Sequence, residues 1–272
     1  LPTYYFGITY TTNSEIDAPA CASYIRMRNN YSGSQFSDHT ELENIKVTSV
    51  HEFFHSIQFG YNCYERLWFM EATAVWSEDE LYNGINDLYR YIPSWFSNPN
   101  KPINDESNHM YGTFIFFQYI DEHFGGPSTI RSCWENSNIL ANPVQDISFQ
   151  AIDGALTTFH SSFEDVFIRM RIANRILNTN AGIYSYSEAE GYRSVTNPPQ
   201  SELLIFQSGI TETINNHSLE LYESNYYTLE TMNPIKIKFI EQQGNSILSS
   251  IVKYKNVDQW TIRSNNTINI DT

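Results

Sequence analysis

Two histidines four residues apart, with a glutamate directly after the first, make up His51-Glu52-Phe53-Phe54-His55. Sixteen residues beyond His55 stands Glu71, in Trp68-Phe69-Met70-Glu71-Ala72. On a helix, positions i and i+4 point the same way one turn apart, so His51 and His55 can grip a single metal ion. Glu52 lies one residue round that helix, where it can reach a water activated by the metal. A second helix carrying Glu71 supplies a third ligand and leaves the fourth position open. Three protein ligands with one open position describe a catalytic zinc ion (Zn2+), not a structural one. The bland alternative, core-edge histidines beside an ordinary helix glutamate, loses ground once Glu71 sits on a helix of its own.

The elements that must position these residues are legible around them. Val47, Val50, Phe54 and Ile57 recur at helical spacing, and Gly60 is placed to end the helix. In the second segment Trp68, Phe69, Ala72, Val75 and Trp76 form one apolar face, with Ser77-Glu78-Asp79-Glu80 expected in solvent. Ala72 and Ala74 are small, so this helix can approach the first closely. Upstream, residues 4–10 and 23–28 read as strands, the second alternating polar and apolar, and 29–40 as a loop. Downstream, a third apolar helix is expected over 109–124, stopped by Gly125-Gly126-Pro127; its Phe114-Ile115-Phe116-Phe117 run reads as core. Shorter helices are expected over 128–134, 144–156 and 162–177, the last opening on an acidic turn at Glu164-Asp165.

The pattern changes at Asn197-Pro198-Pro199-Gln200. Beyond it, short alternating stretches at 218–222, 226–229, 235–240, 247–254 and 260–270 suggest a small β-sandwich. The expected class is α+β: a catalytic domain over 1–196, then a β module over 197–272.

Composition narrows the partners. A net charge of −15 argues against nucleic acid and against an anionic membrane surface, and suits a soluble extracellular enzyme. No apolar run approaches the length of a membrane span. The chain opens on Leu1, so removal of a signal peptide or propeptide is expected. Cys21, Cys63 and Cys133 form an odd set, compatible with one disulfide and a free thiol or with three thiols. The many carboxylates leave room for calcium, although there is no EF-hand loop. Sequons occur at Asn30, Asn216 and Asn265. His39, His123, His160 and His217 have no supporting neighbours in the sequence, which also gives no oligomeric state.

With these residues placed, the chain resembles the gluzincin metallopeptidases, in which H-E-x-x-H and a downstream helical glutamate bind zinc. More closely, it resembles a family of secreted metalloproteases of bacteria and archaea. The likeness rests on residues 46–61, 68–76 and 111–119 and extends over 4–178. It implies a small strand-rich upper half over a helical lower half, with zinc on the floor of the cleft between them. It also implies an edge strand along the cleft, for which 23–28 is the candidate, able to receive an extended peptide or protein substrate. Glu52 is then the general base. The oxyanion donor is Tyr111, ahead of Gly112, with His109 its competitor. Two positions depart from the pattern: Ala72 stands where glycine often follows the third ligand, and Val75 where some relatives carry an aspartate that orients a zinc histidine. Glu78 and Asp79 are the two candidates for that carboxylate.

Two further readings compete with a protease. One is an adhesion or structural module that keeps the metal for stability, which would have no need of Glu52. The other is hydrolysis of a non-peptide amide.

Overall fold

The computed structural model describes residues 1–2, 4–205, 219–230, 235–238, 249–253, 260–264 and 267–270. Within them the chain is α+β, with helices from 41 to 195 and strands before and after.

The chain enters through an antiparallel hairpin, β1 (Gly7–Asp17) and β2 (Ala20–Met27), in register at Gly7↔Met27, Thr9↔Ile25 and Tyr10↔Tyr24. Both strands begin and end a few residues from the expected bounds. The hairpin packs on α1 (Glu41–Tyr61) and is tied to its far end by a Cys21–Cys63 disulfide and a Cys63 N–H to Pro19 O bond of 3.1 Å. Cys133 is a buried free thiol.

A capping box starts α1. The Thr40 hydroxyl accepts the Glu43 N–H, and the Thr40 N–H donates to Glu43 Oε2. Two orphan donors of the first turn are thereby satisfied. Gly60 does not end this helix, which runs on to Tyr61. The stop is the buried Asn62, held in extended backbone by bonds from its amide to Ser137 and from the Tyr64 N–H to its carbonyl.

The second helix, α2 (Leu67–Tyr82), lies at the centre of the molecule. It has no side-chain cap of its own; instead Glu106 accepts both the Leu67 N–H and the Arg66 Nε–H. Ser77, Glu78 and Asp79 are buried, contrary to expectation, and only Glu80 of that run is exposed. The cause is packing on most sides: α1 lies against one flank, and a 3-10 turn (Asp87–Arg90), α4 (His109–Gly112) and α5 (Phe114–His123) lie against others. A helix covered on most of its flanks leaves little solvent face for its polar residues, and here only its two ends stay exposed, at Leu67 and at Glu80-Leu81.

Between them runs α3 (Ile92–Ser97). The expected third helix is broken at Thr113, whose N–H is shared between His109 O and Met110 O and whose hydroxyl reaches Ile103 O. Phe114, Ile115, Phe116 and Phe117 are fully buried, as the apolar run implies. Gly125 and Gly126, at φ +93° and +75°, turn the chain into α6 (Pro127–Leu140), which is longer than expected. Then follow α7 (Ser148–Leu156), α8 (Phe163–Ile176) with Ser162 as its cap, and α9 (Ala189–Val195). The core centres on Trp68, Phe69, Phe117 and Trp134, with Phe69 and Trp134 stacked at 4.3 Å.

Beyond 197 the described strands pair in twos. β3 (Glu202–Ile205) is parallel to β4 (Tyr227–Glu230), β5 (Ile235–Lys238) is antiparallel to β8 (Thr267–Ile270), and β6 (Ser249–Lys253) to β7 (Trp260–Ser264). Residues 219–222 form no strand. Tyr222, at φ +66°, turns its ring into the helical unit, 4.4 Å from Phe149 and 5.2 Å from Phe163. His217 and the sequons at Asn216 and Asn265 lie outside the described residues.

Candidate metal centre

The one-turn spacing on α1 brings His51 Nε2 and His55 Nε2 to 3.1 Å from each other. From α2, Glu71 Oε2 stands 3.0 Å from the first and 3.6 Å from the second. Among the described residues these three form the group of His, Cys, Asp and Glu able to hold a metal. Tetrahedral zinc with bonds of 2.0–2.1 Å sets its ligand atoms about 3.3 Å apart, a value the three separations bracket.

The outer nitrogens are fixed as well. His51 Nδ1 lies 2.6 Å from Glu78 Oε1, and His55 Nδ1 lies 2.7 Å from Gln58 Oε1. Gln58 donates through its amide to Met70 O and Thr73 Oγ1, so its carbonyl oxygen must face the ring. His55 therefore carries its hydrogen on Nδ1 and turns the Nε2 lone pair inward, and an ionised Glu78 would orient a neutral His51 in the same way. Two imidazole nitrogens and a carboxylate oxygen meeting at one point suit a shared cation. The fit to zinc is good, and carboxylate-oriented histidine is the usual outer arrangement.

The closeness of these groups also shows in their titration behaviour. Burial works to lower the His51 pKa, but Glu71 and Glu78 outweigh it and hold it well above the usual histidine value. Burial likewise works to raise Glu71, but its bonds with His51 and His55 keep it below the usual carboxylate range. Glu78 is pushed up to about 7 by burial, with His51 opposing.

Glu52 is buried, directly under the hairpin. Its Oε2 lies 2.6 Å and its backbone carbonyl 2.8 Å from the Thr9 hydroxyl of β1. Gly7, two residues earlier on the same strand face, leaves room for this side chain: a Cβ there would stand 2.6 Å from Glu52 Cγ and 2.9 Å from Oε1. The hairpin is thus shaped to the carboxylate below it.

The two donor candidates occupy different surroundings. Tyr111 stacks on Tyr91 at 5.1 Å, and the carboxylates of Glu71, Glu52 and Glu78 act on its phenol. Burial first, then those carboxylates, raise its pKa, so it stays a protonated donor at neutral pH. His109 is buried against Trp95 at 4.3 Å, and neither ring nitrogen has a hydrogen-bond partner. Burial, then the charge of Arg171, lowers its pKa to about 3. Its charged neighbours are Arg171, Asp105 and Lys101, not the carboxylates of the metal group.

Of the remaining histidines, His39 bonds Asp87 at 3.1 Å and His123 bonds Ser185 O at 2.9 Å. Sequence reasoning did not pick out Gln58, Thr9 or Gly7. Gln58 carried a signal, three residues after His55 on the same face. Thr9 and Gly7 carried none, since their role depends on where the hairpin lands.

Compared with family models, curated proteins and solved structures, the chain matches none.

Proposed function

We propose that this chain is a zinc-dependent metallopeptidase that hydrolyses peptide bonds. The carrying observation is the convergence of His51 Nε2, His55 Nε2 and Glu71 Oε2, each histidine oriented from behind, with Glu52 adjacent. Bound at these three residues, zinc would supply Lewis acidity to an attacking water and to the scissile carbonyl. Glu52 takes the proton of that water and hands it to the leaving amine. Thr9 and Gly7 hold the Glu52 carboxylate in place. Tyr111 donates a hydrogen bond to the oxygen that becomes negative as the carbonyl is attacked. Glu78 and Gln58 keep both imidazoles aimed.

The fold proposed around this site is gluzincin-like, with the β1–β2 hairpin as the upper half and the helices as the lower. Among the described residues β2 pairs with β1 alone, and its other edge is where an extended substrate would add as a further strand. The strand pairs after 197 would assemble as a small C-terminal β-sandwich. Export belongs to the proposal, and two features support it: the Cys21–Cys63 disulfide suits an oxidising compartment, and a charge of −15 favours solubility. Among the described residues no helix is long and apolar enough to cross a membrane.

The test uses Glu52→Gln beside the wild type, each loaded with one equivalent of zinc and offered a broad peptide library. The variant should keep its zinc, read by anomalous scattering at the zinc edge, and lose hydrolysis. Wild-type protein that binds zinc yet cleaves nothing would point instead to a binding module.

A further inference from the structure

An open cavity of about 340 Å3 lies where the turn after α3 meets the entries of β3 and β4. That volume is at the lower end of the range of small-molecule sites. Asn100, Gln200, Ser201, Glu202, Asn225 and Tyr227 supply its polar wall, and none of them belongs to the metal group. Pro99 adds an apolar surface.

Hydrogen bonds tie the walls together. Pro99 O accepts the Ser224 N–H at 3.0 Å, and the Ser201 N–H donates to Tyr226 O at 2.8 Å. The Ser201 hydroxyl accepts the Tyr226 N–H at 2.9 Å, and the Tyr226 hydroxyl donates to Arg171 O of α8 at 2.8 Å. In the parallel β3–β4 pair Glu202 stands opposite Tyr227, so the two side chains leave the same face side by side. Asn225 is hydrogen-bonded to the Tyr227 phenol, on which the Glu202 carboxylate also acts. Amide, phenol and carboxylate are therefore close neighbours on one wall. The cavity is formed before any ligand arrives.

The kinds of group present narrow what can fill it. Among the described residues no Lys, Arg or His lines the cavity, and Glu202 repels an anion. An ammonium would suit Glu202, but it only donates, and it would face the N–H2 groups of the surrounding amides. Gln200 Oε1 already accepts the Thr228 hydroxyl at 3.1 Å, which leaves its N–H2 to offer a ligand. An apolar ligand would cover these groups and answer none of them. Hydroxyls both donate and accept, so a ligand rich in them answers amide, carboxylate and phenol alike. The Tyr227 ring adds an aromatic face for the C–H side of a sugar.

We propose that this cavity binds a saccharide through one neutral sugar ring. The amides of Asn100 and Gln200 donate to its hydroxyls, and Glu202 accepts from them. The site goes beyond the peptidase reading and does not rest on it. It gives the chain a means of recognising a glycan whether or not the His51–His55–Glu71 group takes zinc.

The experiment titrates the full chain with the methyl glycosides of glucose, galactose, mannose and N-acetylglucosamine and follows chemical shifts of the protein by NMR. Inorganic phosphate and N-acetylputrescine serve as the anionic and cationic controls. At least one glycoside should saturate a single site with a Kd of about a millimolar, as expected of a small ligand in an open cavity. Neither control should compete with it. Asn100 and Glu202 are exposed, so Asn100→Ala and Glu202→Ala should leave the fold intact. Each should weaken sugar binding by about tenfold. Glu71→Gln should bind as the parent does. The proposal is overturned if no glycoside saturates, if both cavity variants bind as the parent does, if a control displaces the sugar, or if Glu71→Gln abolishes binding. The last result would put the sugar at the metal group instead.

Discussion

Gly7 of the entry strand lies so close to Glu52 that a methyl group on its Cα would come within 2.6 Å of Glu52 Cγ. No other side chain fits there without moving the proposed general base. Gly7→Ala should therefore lower kcat/KM by about tenfold to a hundredfold, since an ångström of displacement at a reacting group costs that much. Zinc content should not change. Full activity in this variant would show that Glu52 has slack above it.

Removing the outer partners of the histidines should act on the metal. Glu78→Ala and Gln58→Ala are each expected to weaken zinc affinity by about ten- to a hundredfold. Competition with a chromophoric chelator measures this directly. Unchanged affinity in both would mean that the rings are held by packing alone.

Tyr111→Phe removes the hydroxyl on which Glu71, Glu52 and Glu78 act. A loss of about a hundred- to a thousandfold in kcat, with KM and zinc content little altered, is expected of an oxyanion donor. His109→Phe should leave kcat within a fewfold of wild type, because the carboxylates of the metal group do not act on that ring. The reverse outcome would exchange their roles.

His109 predicts acid sensitivity instead. Its folded pKa of about 3 lies below the unfolded value of about 6.5, so between these values the unfolded chain binds the additional proton. Stability from this residue is complete above pH 6.5 and declines by up to about 1.4 kcal/mol per unit as pH falls toward 3. Because the raised Glu78 and Asp79 carboxylates act in the opposite sense over this range, the check is a difference: in urea melts from pH 7 to 4, His109→Phe should gain stability relative to wild type as the pH falls.

The Cys21–Cys63 bridge spans a sequence separation of 42, which corresponds to about 4 kcal/mol of chain-entropy stabilisation. Cys21→Ser with Cys63→Ser should lose an amount of that order in denaturant titrations. Cys133→Ser should give no matching loss of bridge entropy. If the double variant is as stable as the parent, the hairpin is held by its packing on α1.

Much of this arrangement was legible because it is local. The i, i+4 histidines and the helix around them depend on spacing alone, and so does the buried 114–117 run. Other local signals were present but unread. Thr40-Glu41-Leu42-Glu43 is a capping-box pattern that sets the start of α1, and Glu78 follows Glu71 by seven residues, two helical turns, on the same face. That spacing separates Glu78 from Asp79. The burial of 77–79 could not be read, because a polar run looks solvent-facing until neighbouring elements close over it. Gly7 and Thr9 are further removed: their meaning lies in a strand landing on a helix more than forty residues away. Tyr222 shows the same limit in reverse, its alternating neighbourhood overridden by an aromatic pocket on the helices.

One consequence follows from the confinement of α2. This helix carries Glu71, the proposed third ligand, and, two turns on, the Glu78 that bonds His51, and core aromatics hold it along most of its length. It cannot slide or roll by itself without detuning both contacts at once. Metal affinity thereby becomes a gauge of core packing: a cavity cut at Trp134 or Phe69, remote from any bond-breaking, should register first as leakage of zinc and only later as unfolding.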